Sequence, residues 1–274
     1  MIYVTGDTHS DVNRLSNRHF PEAKGLTKND FVVICGDFGL VWEYRGESGE
    51  ENHWLWWLES RPFTTLFVDG NHENFDRLNA YSVEEWNGGK IHRIRPSVIH
   101  LMRGQVYDLP FGDSTKRIFT FGGAKTRDAR DGILDPVKHA VRIKEWRHHN
   151  RYEGDPYKYF RVIGQSWWEQ EMPSQEEMDE GIANLDRVGW KVDYVFTHDC
   201  SRTSKLALNF VKHGDVDELN DYLEGIQERL TYDRWFFGHH HDNQWLSDHD
   251  CMLYEDIIPV NKHIDEELLQ LWTT

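Results

Sequence analysis

Short runs of apolar residues recur along the chain, and most of them end close to glycine, histidine or aspartate. A short apolar run bounded by turn-forming residues predicts a buried strand, because both faces of such a strand pack against apolar neighbours. Antiparallel strands are also expected over residues 90–121, where apolar runs alternate with turns, and closing strands are expected over residues 249–260. The five clearest buried runs cover residues 2–4, 31–35, 66–68, 194–196 and 235–237.

Other segments have the spacing and capping residues of helices. Trp54, Trp57 and Leu58 recur at i, i+3 and i+4, so they place apolar side chains on one helical face. Ser174 is followed three residues later by Glu177, which is the pattern of a capping box at a helix start. Helices are therefore predicted over residues 11–19 (capped by Asp11), 48–60, 174–188, 215–230 and 265–272.

The segment 125–165 differs from the rest of the chain because it is basic and aromatic. It holds ten Lys or Arg against six Asp or Glu, and it contains Trp146, Tyr152, Tyr157, Tyr159 and Phe160. Two interpretations remain open. The aromatic side chains form a small core of a surface excursion, or they cap the functional site, stack on a substrate and pair with its phosphates.

Five polar motifs follow the predicted buried strands. In open α/β sheets the carboxyl ends of the strands form one edge, where ligands bind, so we expect the motifs to gather there. Their side chains offer oxygen and nitrogen ligands, which suit a pair of divalent cations and a phosphate ester. The motifs are Gly6-Asp7-Thr8-His9, Gly36-Asp37, Gly70-Asn71-His72-Glu73, Thr197-His198 and Gly238-His239-His240-His241.

Two of these motifs contain pairs of candidate ligands spaced two residues apart. Asp7 precedes His9 by two residues, and His239 precedes His241 by two. In extended chain, residues i and i+2 project to the same side, so each pair is expected to reach one ion cluster. The intervening His240 would then point away, and we do not expect it to be a ligand.

The motifs resemble those of the calcineurin-like metallophosphoesterases. The pattern of that family is Asp-x-His, Gly-Asp, Gly-Asn-His-Asp/Glu, a single His and Gly-His-x-His, and all five blocks occur here in that order. Residues 121–124 (Phe-Gly-Gly-Ala) and 166–171 (Ser-Trp-Trp-Glu-Gln-Glu) resemble a bacterial and phage subgroup. The resemblance implies an α+β fold, a four-layer α/β/β/α sandwich of two sheets flanked by helices.

The resemblance also implies two metal ions. Mixed carboxylate, amide and imidazole ligands suit manganese, which we expect, and also iron or zinc. Two cations about 3.5–4 Å apart can activate a water between them and stabilise both ends of an in-line displacement. The implied ligands are Asp7, His9, Asp37 and His241 for one ion, and Asp37, Asn71, His198 and His239 for the other.

Further roles follow from the same resemblance. His72 is adjacent to a ligand without being one, which suits a proton donor to the leaving alkoxide, a role worth roughly 10²–10⁴ in rate. The protein Ser/Thr phosphatase branch has Gly-Asp-x-x-Asp-Arg-Gly in its second block, whereas residues 36–42 lack the second Asp and the Arg. Arg127 and Arg130 are candidates to bind phosphate instead. Asp199 is either the partner of an imidazole or a surface carboxylate.

The expected function is a dinuclear metal-dependent phosphoesterase with a preference for phosphodiesters or nucleotides. The missing Asp-Arg pair and the basic, aromatic insertion favour these substrates over phosphoproteins. A Ser/Thr phosphoprotein phosphatase or phosphomonoesterase of the same fold is the first alternative, and a non-catalytic metal-binding module is the second. A metallo-β-lactamase-like hydrolase needs His-x-His-x-Asp-His, which residues 239–243 do not supply.

Composition and chain organisation limit the partners. A formal charge of -16, from 47 acidic and 31 basic residues, disfavours a long nucleic acid. The three widely spaced cysteines form no Cys-x-x-Cys pair, so reduced thiols and a cytoplasmic location are expected. No apolar stretch approaches transmembrane length, and Asp7 stands too near the start for a signal peptide. We expect one domain over residues 1–274, with a cap insertion at about 125–173.

Overall fold

Two large β-sheets form the frame of the protein. The computed structural model describes residues 1–154, 156–208 and 215–262. The strands in this part of the chain are β1 (Ile2–Thr5), β2 (Phe31–Cys35), β3 (Thr64–Val68), β4 (Val83–Trp86), β5 (Gly89–Arg95), β6 (Val98–Leu101), β7 (Gln105–Phe111), β8 (Ser114–Phe121), β9 (Gly132–Leu134), β10 (Phe160–Val162), β11 (Tyr194–Thr197), β12 (Arg234–Phe237), β13 (Gln244–Trp245), β14 (Asp250–Met252) and β15 (Ile258–Pro259).

The strand order places parallel strands at the centre of each sheet. The first sheet has the order β15-β1-β2-β3-β6-β5-β4, and the second has the order β13-β14-β12-β11-β8-β7. In the first sheet β1, β2, β3 and β6 run parallel, and in the second β8, β11, β12 and β14 do. The α-helices among the described residues are α1 (Gly49–Glu59), α2 (Phe75–Leu78), α3 (Ala140–Tyr152), α4 (Gln175–Arg187), α5 (Arg202–Ala207) and α6 (Glu218–Gln227).

Successive side chains of β2 belong alternately to two different cores, so the first sheet is covered on both faces. Val33 and Cys35 belong to the core between the two sheets. Val32 and Ile34 belong to an outer core, where they are joined by Leu55 of α1. Because successive side chains of a strand point to opposite faces, a strand buried on both faces reads as a continuous apolar run.

The second sheet is covered in the same way. Phe196 and Phe236 face the first sheet, whereas Val195 and Trp235 face outward and share a core with Leu223 of α6. Helices therefore cover the outer face of each sheet, and the predicted four-layer α/β/β/α sandwich is confirmed. Within the described residues, no helix is both long enough and apolar enough to cross a membrane.

The strand predictions are confirmed, with one correction to their grouping. We expected the motif-bearing strands to belong to one sheet, but β1, β2 and β3 lie in the first sheet and β11 and β12 in the second. Likewise, the antiparallel segment 90–121 divides between the sheets after β6. An apolar run records burial on both faces and not the identity of the neighbouring strand, so the sequence did not reveal the division.

Two helix predictions are confirmed at both ends. The helix predicted over residues 48–60 is α1, and the one predicted over residues 174–188 is α4. Each is capped by a serine, Ser48 or Ser174, whose hydroxyl accepts a hydrogen bond from the backbone N–H three residues later. The glutamate at that later position accepts a hydrogen bond from the backbone N–H of the serine, which completes a capping box. The helix predicted from residue 215 starts three residues later, at Glu218.

The helix predicted over residues 11–19 is wrong. One 3₁₀ turn, Val12–Leu15, forms there, and Asp11 caps it as expected. The chain then becomes extended at Ser16, with ψ 154°. The turn buries two apolar side chains, which is too little surface to hold a longer helix in place. The helix predicted over residues 265–272 lies outside the described residues.

The basic segment forms a small structure of its own. Strands β9 and β10 pair in parallel, and α3 lies between them in the chain. Leu134, Ile143 and Val162 form a core with the half-buried rings of Trp146 and Phe160. The aromatic residues therefore divide into two groups, since these two rings are packed whereas Tyr152, Tyr157 and Tyr159 remain exposed.

Candidate metal centre

The five polar motifs meet at the carboxyl ends of the parallel strands of both sheets. Their loops approach so closely that glycine is required at the contacts. A Cβ on Gly36, where φ is 91°, would collide with the ring of His198. A Cβ on Gly238 would collide with the carboxylate of Asp7. These glycines therefore let loops from opposite sheets bring their functional side chains into one centre.

Four predicted ligands form one compact cluster. His9 Nε2 lies 3.7 Å from Asp7 Oδ2 and 3.7 Å from Asp37 Oδ2. His241 Nε2 lies 2.9 Å from His9 Nε2 and 3.1 Å from Asp7 Oδ2. The ligand atoms of these four residues all lie within 4.8 Å of one another. They are the same four residues that the family resemblance implied for one ion.

Asp7 provides a direct test of whether a cation fits this cluster. Its side chain is fully buried, and Oδ1 accepts a hydrogen bond of 2.8 Å from the backbone N–H of His239. Oδ2 has no hydrogen-bond partner of acceptable geometry, although His241 Nε2 is near. A buried carboxylate oxygen without a partner is costly. Divalent cations bind oxygen and imidazole donors of this kind, so the residues present fit a metal ion.

The other predicted ligands adjoin this cluster through Asp37. His198 Nε2 lies 3.3 Å from Asp37 Oδ1 and 3.3 Å from Asn71 Oδ1. Its Nδ1 donates to the backbone carbonyl of Cys35 at 2.8 Å, and its Nε2 faces the two oxygens. The ring of His239 lies 5.0 Å from that of His198. Two oxygens and two imidazoles are thus assembled beside the first cluster.

The backbone reaches this arrangement in a way that the sequence did not indicate. We expected the two-residue spacings to act through extended chain. Instead, His9 has φ 44°, His239 has φ 65° and His241 has φ 54°, all in the left-handed region. Asp37 also lies there, with φ 44°. Such conformations cost of order 1–3 kcal/mol each for non-glycine residues and are concentrated at functional sites.

The charges at the centre shift the pKa values of its groups in opposite directions. Burial opposes ionisation of Asp7, but His198 and His241 more than offset it and lower the pKa of Asp7. Burial also opposes protonation of His198, yet the carboxylates of Asp37 and Asp7 raise the pKa of His198. Burial lowers the pKa of His9. The carboxylate of Asp7 is therefore ionised, and it favours positive charge on the imidazole of His198.

His72 lies beside the cluster and has a different set of contacts. Its backbone N–H donates to Asp37 Oδ1 at 2.8 Å. Its ring stacks on Trp42 at a centroid distance of 5.5 Å and lies 4.9 Å from the ring of His9. Arg161 NH2 lies 3.1 Å from His72 Nε2. Burial, reinforced by Arg161, lowers the pKa of His72, although Asp37 opposes the shift.

The arginine nearest to His72 is one that the sequence did not indicate. Arg161 of β10 contacts His72 and pairs with Asp128. Arg127 lines the cavity at the metal centre, where it donates to the backbone carbonyl of Asp215. Arg130 instead lies over the ring of Tyr159, 3.9 Å from its centroid. Arg161 lies outside every motif, so no sequence pattern distinguished it from its basic neighbours.

Asp199 is not a surface carboxylate. It is 1% exposed, and Oδ1 lies 3.2 Å from His240 Nε2. Its Oδ2 forms an ion pair with the buried Lys205 and accepts from Asn220 at 3.0 Å. Asp199 therefore contacts an imidazole, as one alternative proposed. That imidazole belongs to His240, the histidine that we did not expect to be a ligand.

Comparison with protein families agrees with the motifs. The family model described as calcineurin-like phosphoesterase matches residues 1–243. A solved structure of a phosphopantetheinyl hydrolase from Mycobacterium tuberculosis aligns over 93% of this chain and 89% of its own, with 15% identity and a TM-score of 0.42. No curated protein matches the sequence. The chain belongs to the calcineurin-like phosphoesterase family and is a metal-dependent phosphoric ester hydrolase.

Proposed function

We propose that this enzyme is a dinuclear phosphodiesterase that cleaves nucleotide-type phosphodiesters, with manganese as its metal. The observation that carries the proposal is the convergence of both sheets on one centre, where a buried oxygen of Asp7 lacks a hydrogen bond. A carboxylate buried in this way is stabilised by a cation. The donors would be Asp7, His9, Asp37 and His241 for one ion, and Asp37, Asn71, His198 and His239 for the other.

The protein supplies the environment, and the ions supply the electrophilic charge. Bound divalent ions would lower the pKa of water and offset negative charge on the phosphoryl oxygens. The contact between the Nδ1 of His198 and the carbonyl of Cys35 fixes the orientation of that ring before any ligand binds. The backbone N–H of His72 holds the carboxylate of Asp37 in place. The centre is thus preorganised by its own hydrogen bonds.

His72 is the proposed proton donor to the leaving alkoxide. Arginine has no acceptor and keeps its protons, so His72 Nε2 accepts from Arg161 in this arrangement and its ring is neutral. A phosphate entering the cavity offers Arg161 a stronger acceptor than an imidazole nitrogen. Once Arg161 turns to a phosphoryl oxygen, His72 Nε2 is free to take up a proton and pass it to the leaving group.

The surroundings of His72 favour a diester over a monoester. A phosphodiester carries one negative charge less than a monoester dianion, so it needs fewer cationic contacts. The segment 36–42 has no arginine and ends in Trp42, whose ring stacks on that of His72. An aromatic wall at this position suits a ring-bearing substituent of the substrate, since stacking on a side chain tolerates any base.

We propose that residues 125–173 act as a cap within a single domain. Asn71 Nδ2 donates to Thr126 Oγ1 at 3.4 Å, and Thr126 in turn donates to Glu171 Oε2 at 2.6 Å. Arg161 adds the contact with His72. The start of this segment therefore contacts Asn71 directly, its end is joined to that contact through Thr126, and Arg161 reaches His72, which supports a role over the substrate.

We also propose a cytoplasmic location for the enzyme. Cys35, Cys200 and Cys251 are all buried and none forms a disulfide. Burial raises the pKa of each thiol, so the thiols remain protonated and unreactive. Buried, unpaired thiols are typical of proteins in reducing compartments. Fractionation of cells that express the tagged full chain tests this point, and recovery outside the cytoplasm would contradict it.

The decisive experiment compares bis-p-nitrophenyl phosphate with p-nitrophenyl phosphate on metal-stripped protein after two equivalents of Mn²⁺ are restored. We expect hydrolysis of both esters to depend on the metal, with a higher kcat/KM on the diester. Zn²⁺ and Fe²⁺ serve as matched metals, and a higher rate with either would replace manganese in the proposal.

The other outcomes lead to different functions. A higher kcat/KM on the monoester would overturn the diester preference and direct the search to phosphopeptides and small phosphate monoesters. Protein that retains two equivalents of Mn²⁺ but cleaves neither ester, nor any member of a broad phosphate panel, would support the non-catalytic module instead.

A further inference from the structure

A large groove in the insertion adjoins the metal centre. Its volume is about 930 Å³, whereas the cavity at the metal centre measures about 310 Å³. Small-molecule sites span roughly 300–1,000 Å³, so the groove can hold a sizeable organic group and the cavity a much smaller one. Asp128 lines both spaces, and Trp42 and Arg161 line the groove while contacting His72.

The groove is cationic although the chain is strongly acidic. Lys144, Arg147 and Arg151 line it from α3, and Lys158 lines it from the segment before β10. Among the described residues that line it, the acidic one is Asp128, which is paired with Arg161. Within residues 1–154, 156–208 and 215–262, no carboxylate lies within 4.0 Å of Lys144, Arg151 or Lys158. Like charges gathered without acidic partners attract an anion.

Exposed aromatic rings stand among these cations. Tyr152, Tyr157 and Tyr159 line the groove and are 69%, 48% and 39% exposed. The insertion has a small core of its own, but these three tyrosines are outside it. Exposed rings beside basic side chains are the combination that binds a base and its phosphate, with stacking worth about 1–3 kcal/mol per base.

We propose that this groove binds the part of the substrate that lies beyond the scissile phosphate, and that this part is a nucleoside carrying a second phosphate. The inference rests on the proposed phosphodiesterase function and narrows its substrate class. The scissile phosphate lies at the metal centre, while the base stacks on the tyrosines and the second phosphate meets Lys144, Arg147 and Arg151. The acidic surface outside the groove limits the ligand to a short one.

The test uses two dinucleotides that differ in one respect. Thymidylyl-thymidine has one internal phosphodiester, and its doubly end-phosphorylated form adds a phosphate at each end. Chromatography of the products measures cleavage of the internal bond in both. On wild-type enzyme with Mn²⁺ we expect a KM about 10-fold lower for the end-phosphorylated form, because its added phosphate meets several partly exposed cations at once.

Two variants on the same helix provide the matched comparison. Arg151→Glu reverses a charge inside the groove, and Arg142→Glu makes the same change on α3 outside it. Arg151→Glu should reduce the KM ratio of the two dinucleotides from about 10 to 2 or less, because an attraction becomes a repulsion. Arg142→Glu should keep the wild-type ratio. Equal ratios in the two variants would overturn the proposal.

A binding measurement separates this inference from the function on which it rests. Isothermal calorimetry follows thymidine 3′,5′-bisphosphate binding to the metal-stripped full chain. We expect Arg151→Glu to weaken this binding at least about 5-fold more than Arg142→Glu does, and that result supports the groove. If neither dinucleotide is cleaved but this difference in binding is found, the phosphodiesterase proposal alone is rejected. Cleavage of both dinucleotides with equal KM rejects the groove and leaves the phosphodiesterase.

Discussion

Two buried charged clusters each include a residue of the loop that follows β3, Asp69 in one and Asn71 in the other, and they differ in how fully their carboxylates are paired. At the metal centre, Asp7 Oδ2 accepts no hydrogen bond. In the other cluster, Asp69 accepts from His100 Nε2 at 3.1 Å and from Arg103 Nε and NH2 at 2.9 and 2.6 Å. Although burial opposes ionisation, Arg103 and His100 hold the pKa of Asp69 well below its usual value.

This difference separates a ligand site from a structural ion pair. Arg103 also donates to Gln170 O at 2.8 Å and to Glu177 Oε2 at 3.2 Å, so its guanidinium joins the Asp69 loop to the start of α4. Both carboxylate oxygens of Asp69 therefore have hydrogen-bond partners. The metal centre has carboxylates and imidazoles without a matching fixed cation. Buried charge alone therefore does not mark a binding site; what distinguishes the metal centre is a buried carboxylate oxygen of Asp7 that accepts no hydrogen bond.

The largest effect should come from removing the carboxylate shared by both proposed ions. We expect Asp37→Ala to lower kcat/KM by about 10⁴ or more, because two ions each lose a ligand and their charge stabilisation is lost. Metal analysis after gel filtration should show less than one equivalent of Mn²⁺. Added Mn²⁺ should raise the Tm of the wild type and not that of the variant. A variant that keeps two equivalents would show that Asp37 is not a bridging ligand.

His72→Ala should reduce turnover without emptying the site. We expect kcat to fall by roughly 10²–10⁴, the usual contribution of a general acid, while Mn²⁺ content stays near that of the wild type. His53→Ala, which removes an exposed histidine on α1, is the matched control and should retain activity. Equal metal loss in His72→Ala and Asp37→Ala would identify His72 as a ligand.

Loss of the buried ion pair between Arg103 and Asp69 should lower the stability of the protein. Arg103→Met leaves Asp69 buried without its cation, and we expect the free energy of unfolding of metal-free protein to fall by on the order of 3–5 kcal/mol. Arg117→Met breaks the exposed pair with Asp108 and should cost no more than about 1 kcal/mol. Urea unfolding at pH 7 measures both. A similar small loss in the two variants would show that the buried pair does not hold the fold.

His92 should make the stability of the folded protein sensitive to acid. Burial, with His100 nearby, lowers the pKa of His92 from 6.5 to about 4. Between these values the unfolded chain binds a proton that the folded protein does not, so stability falls as the pH drops through this window, by at most about 3 kcal/mol. Urea midpoints at pH 7 and pH 5 should differ less in His92→Gln than in the wild type. An unchanged difference would exclude His92 as the source.

The sequence predicted the features whose signals are local. The capping box of Ser174 and Glu177 lies within four residues, and it placed the start of α4 correctly. The motif side chains also follow directly from their strands, and the structure brings them to one centre. The segment 11–19 also has a local cap, Asp11. The length of a helix, however, depends on how much of its apolar surface the rest of the fold covers, and this turn buries only two apolar side chains.

The features that the sequence did not predict depend on distant contacts. Arg161 reaches His72 across 89 positions of the chain, and nothing near Arg161 in sequence marks it. The pairing of Asp69 with Arg103 spans 34 positions and belongs to no motif. The division of the motif strands between two sheets is of the same kind, because β8, and not a motif-bearing strand of the first sheet, is the neighbour of β11.

That division has a consequence for assembly. Each proposed ion takes ligands from both sheets: Asp7, His9, Asp37 and Asn71 follow strands of the first, and His198, His239 and His241 follow strands of the second. A metal ion here would link the two sheets, because neither sheet alone offers a complete set of ligands. During synthesis, the complete ligand set can form only after residue 241 has emerged. Metal content then reports whether the two halves of the sandwich have docked.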